Sequence, residues 1–158
     1  MVKPKHLGHL VLRVRDLEVS KGFYTSILDL KVTYEMAGKM VFMSAGKSSH
    51  ELALMEIGSD ADGPDNSRVG LSHFAWEMRT LDDLKTLNKE LRDKEVQIVG
   101  VADHGISIGV YFLDPDGNEI EAFYELPRDE WPDRNNLFSG RFPKGSIEDY
   151  SNNSGTIS

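Results

Sequence analysis

The chain has 158 residues, 39% of them hydrophobic, and a formal net charge of -8 with no Cys. This size and composition suit one domain with a buried core, whereas the acidic balance argues against a surface that binds nucleic-acid phosphates through clustered Lys and Arg. The absence of Cys excludes disulfides, Cys-ligated zinc and thiol nucleophiles.

The sequence gives no sign of a membrane or export segment. No window approaches the roughly 20 apolar residues of a membrane span, and the start, MVKPKHLGHL, lacks the apolar core of a signal peptide. We therefore expect a cytoplasmic protein that binds neither membrane nor nucleic acid. Any metal ion must be bound by His and carboxylate side chains, since Cys is absent.

The first part of the chain predicts a strand, a helix and three further strands. Residues 7–14 are rich in Val and Leu and predict the first strand, and Asp16 is a suitable N-cap for a helix that ends near residue 28. The residues of this helix predicted to face inward are Leu17, Phe23 and Ile27. The three further strands are predicted at residues 31–35, 39–44 and 50–57.

The second part of the chain repeats this order after residues 58–68, GSDADGPDNSR, which have the composition of a linker. The predicted elements are a strand at 69–77, a helix at about 81–94, and strands at 96–101, 107–113 and 119–125. Between the last two strands, the sequence DPDGN from Asp114 predicts a tight turn, because Pro fixes one φ and Gly permits a positive one. Residues 146–158 predict a flexible tail after a domain at 1–145.

The two parts are related as an internal duplication. The segment that starts at His9 aligns without a gap on the segment that starts at His73, at a constant offset of 64 residues. The residues that recur are Arg15, Leu17, Lys21, Asp29 and Val32, as Arg79, Leu81, Lys85, Asp93 and Val96. The sequence therefore predicts an α+β fold of two tandem modules, at about 7–57 and 69–125, each with the order βαβββ.

The duplication places a His at the start of each module and so indicates a metal site. If a pseudo-two-fold axis relates the modules, His9 and His73 face one ion. The last strand offers three carboxylates that alternation places on one face, namely Glu119, Glu121 and Glu125. We choose Glu121 as the third ligand, because a carboxylate in the middle of a strand is costly to bury unless a cation binds it.

Two His and one carboxylate on one side of an ion leave positions open for a substrate and oxygen. This arrangement suits ferrous iron, Fe(2+). Manganese, nickel and zinc, as Mn(2+), Ni(2+) and Zn(2+), are also chemically permitted by the same donors.

His50 is a candidate for acid-base chemistry. Aligning VFMSAG from Val41 with YFLDPDG from Tyr111, with a one-residue gap, predicts that His50 takes the place of Glu121 in the first module. A slip of one residue would place Glu51 there instead. Glu56 has the same strand parity as His50 and would complete a four-ligand site, but we interpret it as a solvated strand end.

His104 and Tyr111 are candidates for binding a substrate oxygen. They lie seven residues apart before the predicted turn, and Tyr111 has the parity to point inward. Gly105 and Gly109 leave room for another group to approach the backbone. An ordinary core tyrosine and a loop histidine are the alternatives for these two residues.

These residues stand in segments that resemble the vicinal oxygen chelate superfamily, which contains glyoxalases, bleomycin-resistance proteins and extradiol dioxygenases. The most similar segments are LGHLVLRVRDLEVSKGFYTSILDLKV, GLSHFAWEM and YFLDPDGNEIEAFYE. The resemblance implies that the two modules form an open, cupped β-barrel around a divalent metal bound by His9, His73 and Glu121.

Within the superfamily the chain is most similar to single-domain extradiol catechol dioxygenases, through SHELALM and HGISIGVYFLDPDGNEIE. This similarity implies a ferrous enzyme of aromatic-hydrocarbon catabolism that uses dioxygen to cleave a catechol-type aromatic diol to a muconic semialdehyde. It implies that His50 donates a proton while His104 and Tyr111 hydrogen-bond to the substrate. A homodimer or higher homo-oligomer is expected, because modules can also pair between chains.

Two other functions are compatible with the sequence. One is a metal-dependent lyase or isomerase of the glyoxalase or epimerase type, with nickel or cobalt as the activating metal. The other is a non-catalytic small-molecule-binding resistance protein. The presence of His9, His73 and Glu121 argues against the second alternative, since a binder without metal needs none of them.

Overall fold

The structure is a computed structural model that describes residues 1–46, 48–131, 133–138 and 147. The chain divides into two compact units, Met1–Pro64 and Asp65–Ser158. The division falls inside the predicted linker at 58–68. Each unit contains one module of the duplication.

The first unit contains β1 (Leu10–Val14), α1 (Leu17–Leu28), β2 (Lys31–Met36), β3 (Met40–Ser44) and β4 (Leu52–Glu56). These strands form one open sheet in the order β1-β4-β3-β2, in which β1 runs parallel to β4. The predicted order βαβββ is confirmed.

Helix α1 begins where the sequence predicts. The Asp16 carboxylate accepts a hydrogen bond from the Val19 backbone N–H at 3.0 Å, which satisfies one free donor of the first turn. Leu17 and Ile27 are buried as predicted, but Tyr24 rather than Phe23 is fully buried. The reason is that Leu17, Tyr24 and Ile27 lie seven and three residues apart, which is the spacing of one helix face.

The second unit contains β5 (His73–Glu77), α2 (Leu81–Asp93), β6 (Ile98–Asp103), β7 (Ser107–Leu113) and β8 (Glu119–Glu125). Its sheet is also open and has the matching order β5-β8-β7-β6. Two short 3-10 turns follow, at Arg128–Glu130 and Arg134–Asn136. The βαβββ order is therefore present twice, in tandem.

The predicted DPDGN turn joins β7 to β8. The Asp114 carboxylate, which is buried, accepts hydrogen bonds from the backbone N–H groups of Asp116 at 2.9 Å and Asn118 at 2.8 Å. It also accepts one from the Asn118 side-chain amide at 2.9 Å. Gly117 has a φ of 90°, which favours glycine. The turn therefore fixes the start of β8, two residues before Glu121.

Replacing Asp114 with alanine is expected to lower the free energy of unfolding by roughly 2–3 kcal/mol, because three donors around a buried carboxylate lose their acceptor. Urea unfolding measures this change. The control is Asp62→Ala in the exposed linker, which should stay within about 0.5 kcal/mol of the original chain. Equal losses in the two variants would contradict this account of the turn.

Most of the predicted tail at 146–158 lies outside the described residues, and so does most of the stretch from 138 to 142. Ile147 is described and is buried. Trp131 donates from its indole N–H to the Leu126 carbonyl at 2.8 Å, and the Arg128 guanidinium lies 4.7 Å from its ring centroid. In the described part of the chain, no helix has the length and apolar character to cross a membrane.

Candidate metal and active site

The strand register of the second unit brings its candidate residues to one sheet face. Ala75 of β5 and Tyr111 of β7 both pair with Glu121, and His73 begins β5 opposite Glu119. Because side chains alternate along a strand, His73, Tyr111 and Glu121 point to the same side of the sheet. Tyr111 is also buried, in agreement with the prediction that it points inward.

Of the three carboxylates predicted to lie on one face of the last strand, Glu121 is the buried one. Its residue is 8% exposed, whereas Glu119 and Glu125 are half-buried. Its Oε2 lies 3.4 Å from His73 Nε2, and its Oε1 lies 3.7 Å from His104 Nε2. An ionised carboxylate at this depth requires hydrogen bonds or a cation. The imidazole and carboxylate donors of His73 and Glu121 fit a divalent transition metal.

His104 and Tyr111 form a pair beside this carboxylate. His104 Nε2 and the Tyr111 hydroxyl are hydrogen-bonded at 2.8 Å. The loop between β6 and β7 holds His104, because its N–H donates to the Ser107 carbonyl at 2.8 Å and Gly105 adopts a φ of 84°. Tyr111 also contacts the ring of His73, with centroids 5.3 Å apart. A phenol and an imidazole thus face the carboxylate together.

Burial raises the pKa of the Tyr111 phenol, and its hydrogen bond to Glu121 and the negative charges of Glu121 and Glu119 raise it further. All of these favour the neutral phenol over the phenolate. When the phenol proton points to Glu121, the bond to His104 requires the tautomer that carries the imidazole proton on Nε2. Tyr111 therefore keeps its O–H at neutral pH.

The pH dependence of stability tests this pKa shift. A raised pKa in the folded state means that the Tyr111 contribution is complete below roughly pH 10, the ordinary tyrosine value, and is lost as the pH rises above it. In metal-free protein, the difference in unfolding free energy between the original chain and Tyr111→Phe should shrink with rising pH above that value. A difference that stays constant or grows would contradict the shift.

The candidate residues of the first unit lie just before two neighbouring strands. His9 precedes β1 and His50 precedes β4, and their ring centroids are 4.6 Å apart. The Ser49 hydroxyl is hydrogen-bonded to His50 Nδ1 at 3.1 Å. His50 is half-buried and His9 is exposed. The parallel pairing of β1 with β4 thus brings the two imidazoles together.

An aromatic row continues from His50 across the same sheet. The ring of Phe42 lies edge-on to His50 with centroids 5.2 Å apart, and Tyr34 lies 6.0 Å from Phe42. Sequence reasoning did not identify Phe42 or Tyr34. The pairing of Tyr34 with Phe42 across β2 and β3 accounts for their contact.

The prediction that His50 takes the place of Glu121 is wrong. Val11 and Ala75 are equivalent at the offset of 64, and they pair with Ala53 and Glu121 respectively. The position equivalent to Glu121 is therefore Ala53, three residues after His50. By the same register, Phe42 is the counterpart of Tyr111, because Phe42 pairs with Ala53 as Tyr111 pairs with Glu121.

Glu56 has a structural contact. Its Oε2 accepts a hydrogen bond from the Leu17 backbone N–H at 2.9 Å. This contact satisfies a donor at the start of α1. Glu56 is exposed at the end of β4 as predicted, but its carboxylate stabilises the helix in addition to meeting solvent.

The structure therefore groups the predicted residues into two sets. His73, Glu121, His104 and Tyr111 lie together in the second unit, and His9 and His50 lie together in the first. Within either unit taken alone, the described residues form no cluster of three or more His, Asp or Glu side chains placed to hold a metal ion. The ligand set predicted from the sequence draws one residue from the first unit and two from the second.

The fold and a family match define the class of protein. The sequence matches the model of the Glyoxalase/Bleomycin resistance protein/Dioxygenase superfamily over residues 6–122. The chain belongs to this superfamily.

Among curated relatives, Biphenyl-2,3-diol 1,2-dioxygenase 3 of Rhodococcus globerulus is 33% identical over 124 residues, which cover 77% of this chain and 64% of that protein. Catechol-2,3-dioxygenase of Bacillus subtilis (strain 168) is 32% identical over 126 residues, or 80% of this chain and 44% of that protein. The chain thus spans less than two thirds of the length of these dioxygenases.

A relative with a different activity in its name matches over more of its length. Probable lactoylglutathione lyase of Synechocystis sp. (strain ATCC 27184 / PCC 6803 / Kazusa) is 31% identical over 127 residues, or 73% of this chain and 92% of that protein. Among solved structures, a glyoxylase/bleomycin resistance protein/dioxygenase domain from Frankia sp. EAN1pec has a TM-score of 0.66 at 25% identity. It covers 78% of this chain and 99% of that chain.

Proposed function

We propose that the protein is an Fe(II)-dependent extradiol dioxygenase that cleaves a catechol-type aromatic diol. The observation that carries this function is the buried Glu121 carboxylate, which His73 and the His104–Tyr111 pair both approach. The names of the dioxygenase relatives support the same reaction.

His9, His73 and Glu121 are the proposed metal ligands. His73 and Glu121 already bring a nitrogen and an oxygen donor within 3.4 Å of each other, and His9 supplies the second imidazole. When bound, a ferrous ion supplies a Lewis acid for the diol and a route for electrons between the diol and dioxygen. Manganese, nickel and zinc are compatible with the same donors.

Tyr111 and His104 are the proposed partners of the substrate oxygens. Because the pKa of Tyr111 is raised, its phenol keeps a proton that can be donated to an oxygen on which negative charge develops. His104 supports this donation by hydrogen-bonding to the phenol oxygen at 2.8 Å. When a diol binds here, the Tyr111 phenol donates its hydrogen bond to a substrate oxygen instead of to Glu121.

His50 is the proposed proton donor. When His50 acts as an acid, its ring carries a proton on both nitrogens: Nδ1–H donates to the Ser49 hydroxyl oxygen 3.1 Å away, and loss of the Nε2 proton leaves a neutral imidazole. This imidazole is half-buried and differs from the proposed ligand His9 in having the hydroxyl contact. It can therefore deliver a proton to the oxygen that leaves when the O–O bond breaks.

The aromatic row supports an aromatic substrate. His50, Phe42 and Tyr34 form consecutive ring contacts at centroid distances of 5.2 and 6.0 Å, and Tyr34 is 63% exposed. Such a row offers rings for offset or edge-to-face contact with an arene.

Oxygen uptake tests the proposed function. Protein loaded with Fe(II) without air is mixed with a panel of catechols in air-saturated buffer, and the expected result is oxygen consumption with a yellow ring-opened product. Protein loaded with zinc is the matched control and should not consume oxygen. No turnover across unsubstituted, alkyl and aryl catechols would contradict the function. Sedimentation of the same sample tests the expected homodimer.

A metal-dependent lyase of the glyoxalase type is the second candidate. The match to the lactoylglutathione lyase relative, which the chain covers over 92% of its length, favours it. Loading the chain with nickel or cobalt and supplying the hemithioacetal of methylglyoxal and glutathione distinguishes the two functions. If the nickel or cobalt protein forms thioester faster than the Fe(II) protein turns over catechols, the lyase becomes the better-supported function.

A further inference from the structure

Gly109 lies in the middle of β7 beside the carboxylate of Glu121. It is buried and pairs with Phe123 of β8, while Tyr111, two residues later, pairs with Glu121. A Cβ atom placed on Gly109 would lie 2.3 Å from Glu121 Oε1 and 3.0 Å from its Cγ. Real Cβ atoms essentially never lie within 3.0 Å of another heavy atom, so any other residue at position 109 requires a shift, and the flexible end of Glu121 is the group that can move.

The backbone does not explain this glycine. Gly105 and Gly117 adopt positive φ, and Gly109 is not among the glycines that do. A strand interior ordinarily disfavours glycine, which brings no side chain to pack and loses much entropy on folding. The need at this position is therefore for space, and the Glu121 carboxylate occupies that space.

We infer that Gly109 is a positioning residue that seats the Glu121 carboxylate on the sheet, with Oε2 toward His73 and Oε1 toward His104. The observed distances are 3.4 Å to His73 and 3.7 Å to His104. A methyl group at position 109 would fill the space that the Glu121 carboxylate occupies and force the Glu121 side chain into a different rotamer. The consequence for metal binding rests on the proposed function, in which Glu121 is a ligand.

Because a side chain at position 109 displaces the Glu121 carboxylate, we expect Gly109→Ala to lose metal affinity. The variant should bind Fe(II), added without air and competed with a chelator, about 10–100-fold more weakly, the range found when a partner that orients a ligand is lost. The matched control is Gly22→Ala in α1, where an added Cβ meets nothing within 4 Å. This control should bind Fe(II) as tightly as the original chain.

A double-mutant cycle distinguishes a glycine that is needed to leave space for Glu121 from a glycine that is needed for another reason. In metal-free protein, Gly109→Ala should lower the urea midpoint when Glu121 is present and should leave it unchanged or raise it in a Glu121→Ala background, where no carboxylate is displaced. If Gly109→Ala alone does not fold, folding of the double variant supports the inference.

Equal losses of stability in both backgrounds, or two unfolded variants, would overturn the inference. Unchanged Fe(II) affinity in Gly109→Ala would overturn it as well, provided that Glu121→Ala lowers that affinity. If Glu121→Ala leaves Fe(II) affinity unchanged, the proposed ligand set fails, and the stability cycle still decides whether Gly109 seats the carboxylate.

Discussion

Replacing Glu121 with alanine is expected to abolish catechol turnover and to weaken Fe(II) binding by more than the ~10–100-fold that loss of an outer partner costs. The variant loses the buried carboxylate that His73 approaches at 3.4 Å. Chelator competition measures the affinity, and oxygen uptake measures the turnover. The folded state should survive, because removal of a buried charge also removes its desolvation cost.

Glu125 provides the control for this prediction. It lies on β8 at the same strand parity as Glu121 but at the end of the strand, where it is half-buried. Glu125→Ala should retain both Fe(II) affinity and turnover. Weak binding in both variants would mean that the overall negative charge of the unit, and not a ligand at position 121, governs the affinity.

The second large effect is expected at His50. His50→Gln should lower kcat by roughly 10²–10⁴, the usual range for loss of a positioned proton donor, and should leave Fe(II) affinity unchanged. The glutamine retains polarity and much of the size of the ring but cannot deliver a proton. Single-turnover oxygen uptake with excess protein isolates the chemical step from product release.

The control for His50 is His6→Gln, at an exposed position ahead of β1. It should leave kcat unchanged. A loss of Fe(II) affinity in His50→Gln would assign His50 to the metal, and full activity would assign the proton transfer to another group.

The order of elements was predictable because local signals and periodicity agree. The Asp16 cap, the apolar face of α1 and the DPDGN turn each depend on residues close together in the sequence. The main differences are at strand ends. The first strand begins at Leu10 rather than at residue 7, because ladder pairing to β4 starts at Leu10 and Leu52.

The choice of Glu121 among three carboxylates of equal parity also followed from the sequence. Its central place in β8 implied burial, and the structure finds 8% exposure for this residue. Parity also predicted that Tyr111 points inward, and this residue is buried. Both inferences use only the two-residue period of a strand.

Other features required the register between distant strands. The counterpart of Glu121 in the first module is Ala53, because Phe42 rather than Val41 is the counterpart of Tyr111 and the connection before β4 is longer than the one before β8. The predicted alignment placed its gap in the first module, which is the longer one. Sequence patterns showed that Gly109 leaves space, but only the pairing of β7 with β8 identifies Glu121 as the group that fills it. The contact of Glu56 with α1 likewise joins residues 39 positions apart.

The fate of dioxygen tests the proposed function most directly. Fe(II)-loaded protein is supplied with a catechol under isotopically labelled dioxygen, and the ring-opened product is analysed by mass spectrometry. The expected product carries labelled oxygen in its newly formed carboxylate, at a yield that matches the oxygen consumed. A product without label, or a catechol recovered unchanged while Fe(II) stays bound, would contradict a dioxygenase.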